Sequence, residues 1–186
     1  MGNLRSVEKA VQFLGFECDI SPEVGNPDRL IIPGVGAFGA AMERLADKVS
    51  GIRDFVQTGK PLLGICLGQQ LLFDGSDEHG KHEGLGLIPG WVKYFPPDMN
   101  LKVPHIGWNK LDYSPNSWLH SNHCDEVYFV HSLYTECRDV TDIAATCHYG
   151  LEFAAAVQRE NVFGTQFHPE KSSTVGLRIL RKFLEC

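Results

Sequence analysis

Leu4, Val7, Val11 and Leu14 fall on one helical face, which predicts a helix from Met1 to Leu14, with Asn3 as its cap and Gly15 as its stop. The pattern then shortens. Phe16 to Ser21 alternates like a strand, Pro22 to Asp28 reads as a loop, and Arg29 to Ile32 is a second short apolar strand. Helices are predicted from about Ala40 to Lys48 and over Ile52 to Gln57, with Gly59 ending the latter. Pro61 to Ile65 is continuously apolar, as a fully buried parallel strand would be, and Leu67, Leu71 and Leu72 continue it with helical spacing. Asp74 to Gly90 is polar and glycine-rich and is expected to be a loop.

Beyond Trp91 the period changes to that of strands. They are expected at Trp91 to Phe95, Lys110 to Tyr113, Val127 to Val130, Ala144 to His148, Phe153 to Gln158 and Val162 to Phe167. Ser172 or Ser173 is placed to cap a last helix carrying Val175, Leu177, Leu180 and Leu184 on its apolar side. This order predicts a three-layer α/β/α sandwich with a mixed sheet, parallel early and antiparallel late. A single domain spanning residues 1–186 is expected, because 186 residues with 43% apolar content suit one core.

Charge narrows the function. A net charge of −6 disfavours nucleic acid or an anionic membrane as main partner, since both require basic patches. No apolar run of membrane length and no signal-peptide pattern occurs, so a cytoplasmic location is expected. The six cysteines are scattered without C-x-x-C spacing, which speaks against a structural zinc site and, in that compartment, against disulfides. Cys124 lies near His120 and His123, but a solvated turn explains Ser-Asn-His-Cys-Asp equally well.

Cys66 sits where the apolar strand meets the helix, with Gly64 and Gly68 two residues to either side. That is the layout of a nucleophile elbow with cysteine in place of serine. The N-terminal end of a helix favours thiolate over thiol, and the Leu67 N–H is placed to bind a developing oxyanion. A buried cysteine packed as a small hydrophobe would produce the same local pattern. A nucleophile needs a base, and His168 in Gly164-Thr-Gln-Phe-His-Pro-Glu-Lys-Ser172 offers one, with Glu170 two residues on to hold the ring. His105 and Trp108, taken alone, read as partly buried turn residues.

Gly-Ile-Cys-Leu-Gly and Phe-His-Pro-Glu together make the chain resemble the class I, triad-type glutamine amidotransferases. Pro33-Gly-Val-Gly36, Pro104-His-Ile-Gly-Trp-Asn109 and Lys171-Ser172 bring the resemblance closer to the glutaminase subunits of imidazole glycerol phosphate synthase. It runs from Met1 to Cys186. It implies a Cys66–His168–Glu170 triad and an oxyanion hole formed by Leu67 together with the backbone of Gly34, Val35 and Gly36, where a peptide flip would make activity depend on the partner. It implies glutamine contacts from Gln70, His131 and Ser132, the last two largely through backbone. It further implies L-glutamine as substrate and a cyclase subunit as partner in a heterodimer, met near Asn3, Arg5, Trp108 and Lys171. No metal or organic cofactor is expected, because acyl transfer is handled by nucleophile, base and oxyanion hole. A glutaminase serving another synthase, a γ-glutamyl hydrolase, or a non-catalytic docking subunit of the same fold are the alternatives.

Two departures stand out. Leu133 occupies a position where the family usually carries Tyr, with Tyr134 following. The family's first strand, which precedes Gly-Asn-Leu-Arg-Ser, has no counterpart in this sequence, and its absence is expected to leave both neighbouring strands unpaired.

Overall fold

The computed structural model describes residues 4–115, 117–119, 121 and 124–186. The chain opens with α1 (Leu4–Phe13), β1 (Leu30–Gly34), α2 (Phe38–Leu45) and α3 (Val49–Gln57), followed by β2 (Leu62–Cys66) and the short α4 (Leu67–Leu71). Strands β3 (Phe73–Ser76), β4 (His82–Glu83), β5 (Ile88–Tyr94), β6 (His105–Lys110), β7 (Asp112–Tyr113), β8 (Glu126–His131) and β9 (Leu133–Cys137) come next. The long β10 (Ile143–Tyr149) and β11 (Leu151–Arg159), then β12 (Val162–Thr165) and α5 (Ser173–Leu184), complete it.

The main sheet has the order β1-β2-β12-β11-β10-β7. β1, β2 and β12 run parallel, and the strands beyond β12 pair antiparallel. Every residue of β2 is buried, as its unbroken apolar run requires. Successive side chains of a strand point to opposite faces. Leu62 therefore joins Ile52 and Phe55 of α3 on one face, while Leu63 and Ile65 meet Val7 and Val11 of α1 and Phe183 of α5 on the other. This yields the three expected layers. No described helix is long and apolar enough to cross a membrane.

Three expectations need correction. Phe16 to Ser21 is not a strand: Phe16 and Cys18 turn toward the core at alternate positions, but the segment pairs with no described strand. The 74–90 stretch is not simply a loop, since β3 and β4 pair within it and β3 lies parallel to β5 in a second sheet, β4-β3-β5-β9. His105 to Asn109 is not a turn but strand β6, paired antiparallel with β8. Among the described residues no strand precedes α1, and β1 forms the end of the main sheet.

Candidate active site

β2 delivers Cys66 to the sheet's carboxyl edge with φ 56° and ψ −110°, a backbone conformation that a side-chain-bearing residue rarely adopts. Such strain persists only where the surroundings enforce it. Here the chain doubles back so sharply that a Cβ on Gly64 would stand 2.5 Å from the Gly68 carbonyl oxygen. α4 then runs for only five residues, so its dipole is small and the unpaired N–H groups of its first turn matter more than any macrodipole. Leu67 opens that turn and is buried.

β12 brings the second part of the site. It pairs directly with β2, and the chain leaves it through Gln166 and Phe167 to reach His168. Glu170 follows in a single 3₁₀ turn, Pro169–Lys171, which swings its carboxylate back under the ring. His168 Nδ1 lies 2.9 Å from Glu170 Oε1, and both side chains are fully buried. Burial pulls the imidazole toward its neutral form, but hydrogen bonding and charge from Cys66 and Glu170 outweigh it and raise its pKa to about 9. Cys66, His168 and Glu170 are thus brought together from segments about 100 residues apart in sequence.

The thiol has further neighbours. Cys66 Sγ lies 3.9 Å from the Val130 carbonyl oxygen of β8, and Gln166 Nε2 lies 3.8 Å from Sγ. Gln166 was not singled out in the sequence, although it stands two residues before His168. Its Oε1 accepts a 3.0 Å hydrogen bond from Gln70 Nε2, which also approaches the Leu133 carbonyl at 3.4 Å. Gln70 is therefore held inside the site wall. Ser172, expected as a helix cap, makes no cap bond. Its hydroxyl donates to the His168 carbonyl at 2.6 Å and accepts the Tyr128 N–H at 2.9 Å, tying the histidine to β8.

Gly34 lies opposite Cys66 in the parallel register of β1 and β2, so the Val35–Ala37 link to α2 starts beside the thiol. Gly36 has φ +105°, which favours glycine, and Val35 is exposed. A residue outside every sequence expectation secures the far end of this link: Glu78, from the β3–β4 turn, accepts the Phe38 N–H at the start of α2. Ala37, at the cap position, supplies no side-chain bond of its own.

His131 closes β8 next to the site and Ser132 follows it, but the His131 ring is turned into the protein, where it bonds His105 and the Leu133 carbonyl. Leu133 itself is buried in the core and Tyr134 packs on Phe95, so the carbonyl, not the side chain, is what position 133 turns toward Gln70. Arg5, Trp108 and Lys171 are exposed. Trp108 contacts Tyr128 edge-on, and α1 packs against the turn that holds Lys171. Asn3 lies outside the described residues, as do His120 and His123. Among the described residues no group of three or more His, Cys, Asp or Glu is placed to hold a metal.

The family described as glutamine amidotransferase class-I matches residues 3–186 of the chain. The imidazole glycerol phosphate synthase subunit HisH of Syntrophotalea carbinolica is 48% identical over 195 residues, covering 98% of this chain and 95% of that protein. The protein of the same name from Rhodopirellula baltica is 48% identical over 189 residues, covering 98% and 92%. Among solved structures, a glutamine amidotransferase superposes with TM-score 0.75 at 20% identity over 97% of this chain and 92% of the other. PurLQS from Thermotoga maritima does so with TM-score 0.73 at 18% identity over 97% and 91%, which extends the likeness in fold. With a strained strand-to-helix elbow at Cys66, a buried histidine–glutamate pair beside it and similarity running through nearly its whole length, the chain belongs to the class-I glutamine amidotransferases and, within them, to the HisH subunits of imidazole glycerol phosphate synthase.

Proposed function

We propose that this chain hydrolyses L-glutamine to glutamate and ammonia and hands the ammonia to the cyclase subunit of imidazole glycerol phosphate synthase. The observation that carries this reading is the cluster of Cys66, His168 and Glu170, in which a strained elbow thiol meets an imidazole held by a buried carboxylate. Its raised pKa means that His168 holds its proton at neutral pH, the state in which it partners a thiolate.

The Cys66 thiolate attacks the carboxamide carbon, and the carbonyl electron pair moves onto oxygen. The Leu67 N–H and the Gly34–Gly36 backbone stabilise that oxyanion. His168 gives its proton to the nitrogen as the C–N bond breaks, releasing ammonia and leaving a γ-glutamyl thioester. A water molecule, deprotonated by His168, then attacks the thioester, and glutamate leaves as the thiolate reforms. Glu170 keeps Nδ1 protonated and the ring aimed throughout. Gln70, with the backbone at His131 and Ser132, borders the space for the amino-acid end of the substrate.

Ile106 and Trp108, at 60% and 53% exposure, project from the outer face of β6. A large apolar pair in water marks a docking surface, and Arg5, Asn3 and Lys171 complete the proposed contact with the cyclase. The test is glutamate release from glutamine by the chain alone, with the cyclase, and with the cyclase holding its ligand. Release that rises strongly only in the last case supports the synthase reading. Equal activity in all three points instead to a stand-alone hydrolase, and silence from a folded complex removes the glutaminase reading.

A further inference from the structure

The imidazole side chains of two buried histidines play no part in that chemistry. His105 opens β6 and His131 closes β8, and the antiparallel register sets them directly opposite each other. Both are almost wholly buried, at 3% and 5% exposure. His105 is stacked between Phe129, at 4.8 Å, and Tyr149, at 4.0 Å.

Their hydrogen bonds leave one arrangement of protons for a neutral pair. A carbonyl oxygen only accepts, so His131 Nδ1, 2.7 Å from the Leu133 carbonyl, carries a hydrogen and donates it. Its Nε2 is then the acceptor for His105 Nδ1–H at 3.0 Å. His105 Nε2 is left as an acceptor and faces the Asn109 amide at 3.4 Å, while that amide also donates to the His148 carbonyl at 3.0 Å. Both rings are held neutral. Burial lowers the His105 pKa to about 4, and burial, opposed by the Leu133 carbonyl and aided by the charges of His105 and His168, lowers that of His131 to about 3.

The chain of bonds ends at the working groups. The Leu133 carbonyl that His131 holds also receives Gln70, Gln70 holds Gln166, and Gln166 reaches Cys66. One residue before His131, the Val130 carbonyl lies against Cys66 Sγ. We infer that His105 and His131 form a tautomer-locked positioning pair, which fixes the Val130–Leu133 turn against Cys66 and Gln70 in the geometry that glutamine hydrolysis requires. This rests on the glutaminase reading. His105, which touches neither Cys66 nor Gln70, acts only through His131.

The decisive variant is His105→Phe, which keeps the ring stack but leaves His131 Nε2 without its donor; His105→Gln restores a donor of similar reach. Four quantities are read on the full chain in complex with the cyclase: kcat and KM for glutamine, the rate at which a chloroketone analogue of glutamine alkylates Cys66, and the rate at which iodoacetamide does so. His105→Phe is expected to lower kcat and analogue labelling by about tenfold to a hundredfold, with KM for glutamine and iodoacetamide labelling changed less than about twofold, and His105→Gln to recover most of the loss. Wild-type kcat and labelling in His105→Phe would overturn the proposal. So would an equal fall in both labelling rates with no rescue by Gln, which marks a purely structural role. Failure of the wild-type complex to take the analogue at Cys66 would instead remove the glutaminase reading, and the proposal with it. Nitrogen-15 spectra of the wild-type histidines give an independent check: a hydrogen on any nitrogen of His131 other than Nδ1 at pH 7 also overturns it.

Discussion

Gly68 passes so close beneath Ile32 that a Cβ on it would stand 1.7 Å from the Ile32 carbonyl oxygen. Backbone stands against backbone there, so no rotamer relieves the clash. Gly68→Ala is expected to push α4 away from β1, to destabilise the fold by about 3 kcal/mol or more and to abolish glutamine turnover. Urea unfolding of the purified variant checks the first figure. Near-wild-type stability would show that β1 yields at this contact.

Glu170→Gln keeps an oxygen for the imidazole but removes the charge that helps to raise the pKa of His168. Turnover of glutamine is expected to fall at least about a hundredfold, and the histidine's pKa to drop from about 9. A ring-proton titration by NMR checks the second. The sign for stability follows from the same shift. The folded protein binds this proton more tightly than an unfolded histidine with pKa 6.5, so the contribution is complete below about pH 6.5 and is lost as pH rises through about 9. Denaturation midpoints of wild type and Glu170→Gln should therefore converge across that window.

Glu78→Ala leaves the first turn of α2 without its side-chain acceptor, because Ala37 offers none. A loss of about 1 kcal/mol is expected. Since the Val35–Ala37 link ends at this point, hydrogen exchange of the amides at 35–38 should quicken more than that of β2. Unchanged exchange there would remove Glu78 from any role in holding the link.

Arg178, on α5, pairs with Asp125, whose carboxylate also accepts the Tyr113 hydroxyl at 2.7 Å. Asp125 is 4% exposed, so Arg178→Met strands a buried carboxylate and is expected to cost about 3 kcal/mol. Pairing it with Asp125→Leu should return much of that loss. A double-mutant cycle in urea measures both, and additive losses would contradict the pairing.

The elbow and the histidine segment were legible because each couples a buried strand of continuous apolar residues to an abrupt change of pattern. β6 was not, because its alternation is inverted: His105, Gly107 and Asn109 face inward, while Ile106 and Trp108 face water. Polar residues pass for a turn until the rings that satisfy one another are seen. β3 and β4 were hidden by their shortness, since four and two residues carry too little period to register and depend on β5 for their pairing. Phe16 to Ser21 shows the reverse, an alternating pattern with no partner to complete it. Gln166, Ser172 and Glu78 make contacts 40 or more residues away, which no local pattern encodes.

Along its outer edge β1 meets no other described strand, and a cleft of about 560 Å³ lined by Val7, Val11, Phe16 and Ile31 lies there. Open backbone donors and acceptors beside an apolar trough form a template for any extended chain. In a concentrated solution the extended chains at hand are other molecules of the same protein, so self-association at this seam is expected to grow with concentration. A charge turned into the trough, as in Ile31→Lys, trades some core packing for colloidal stability.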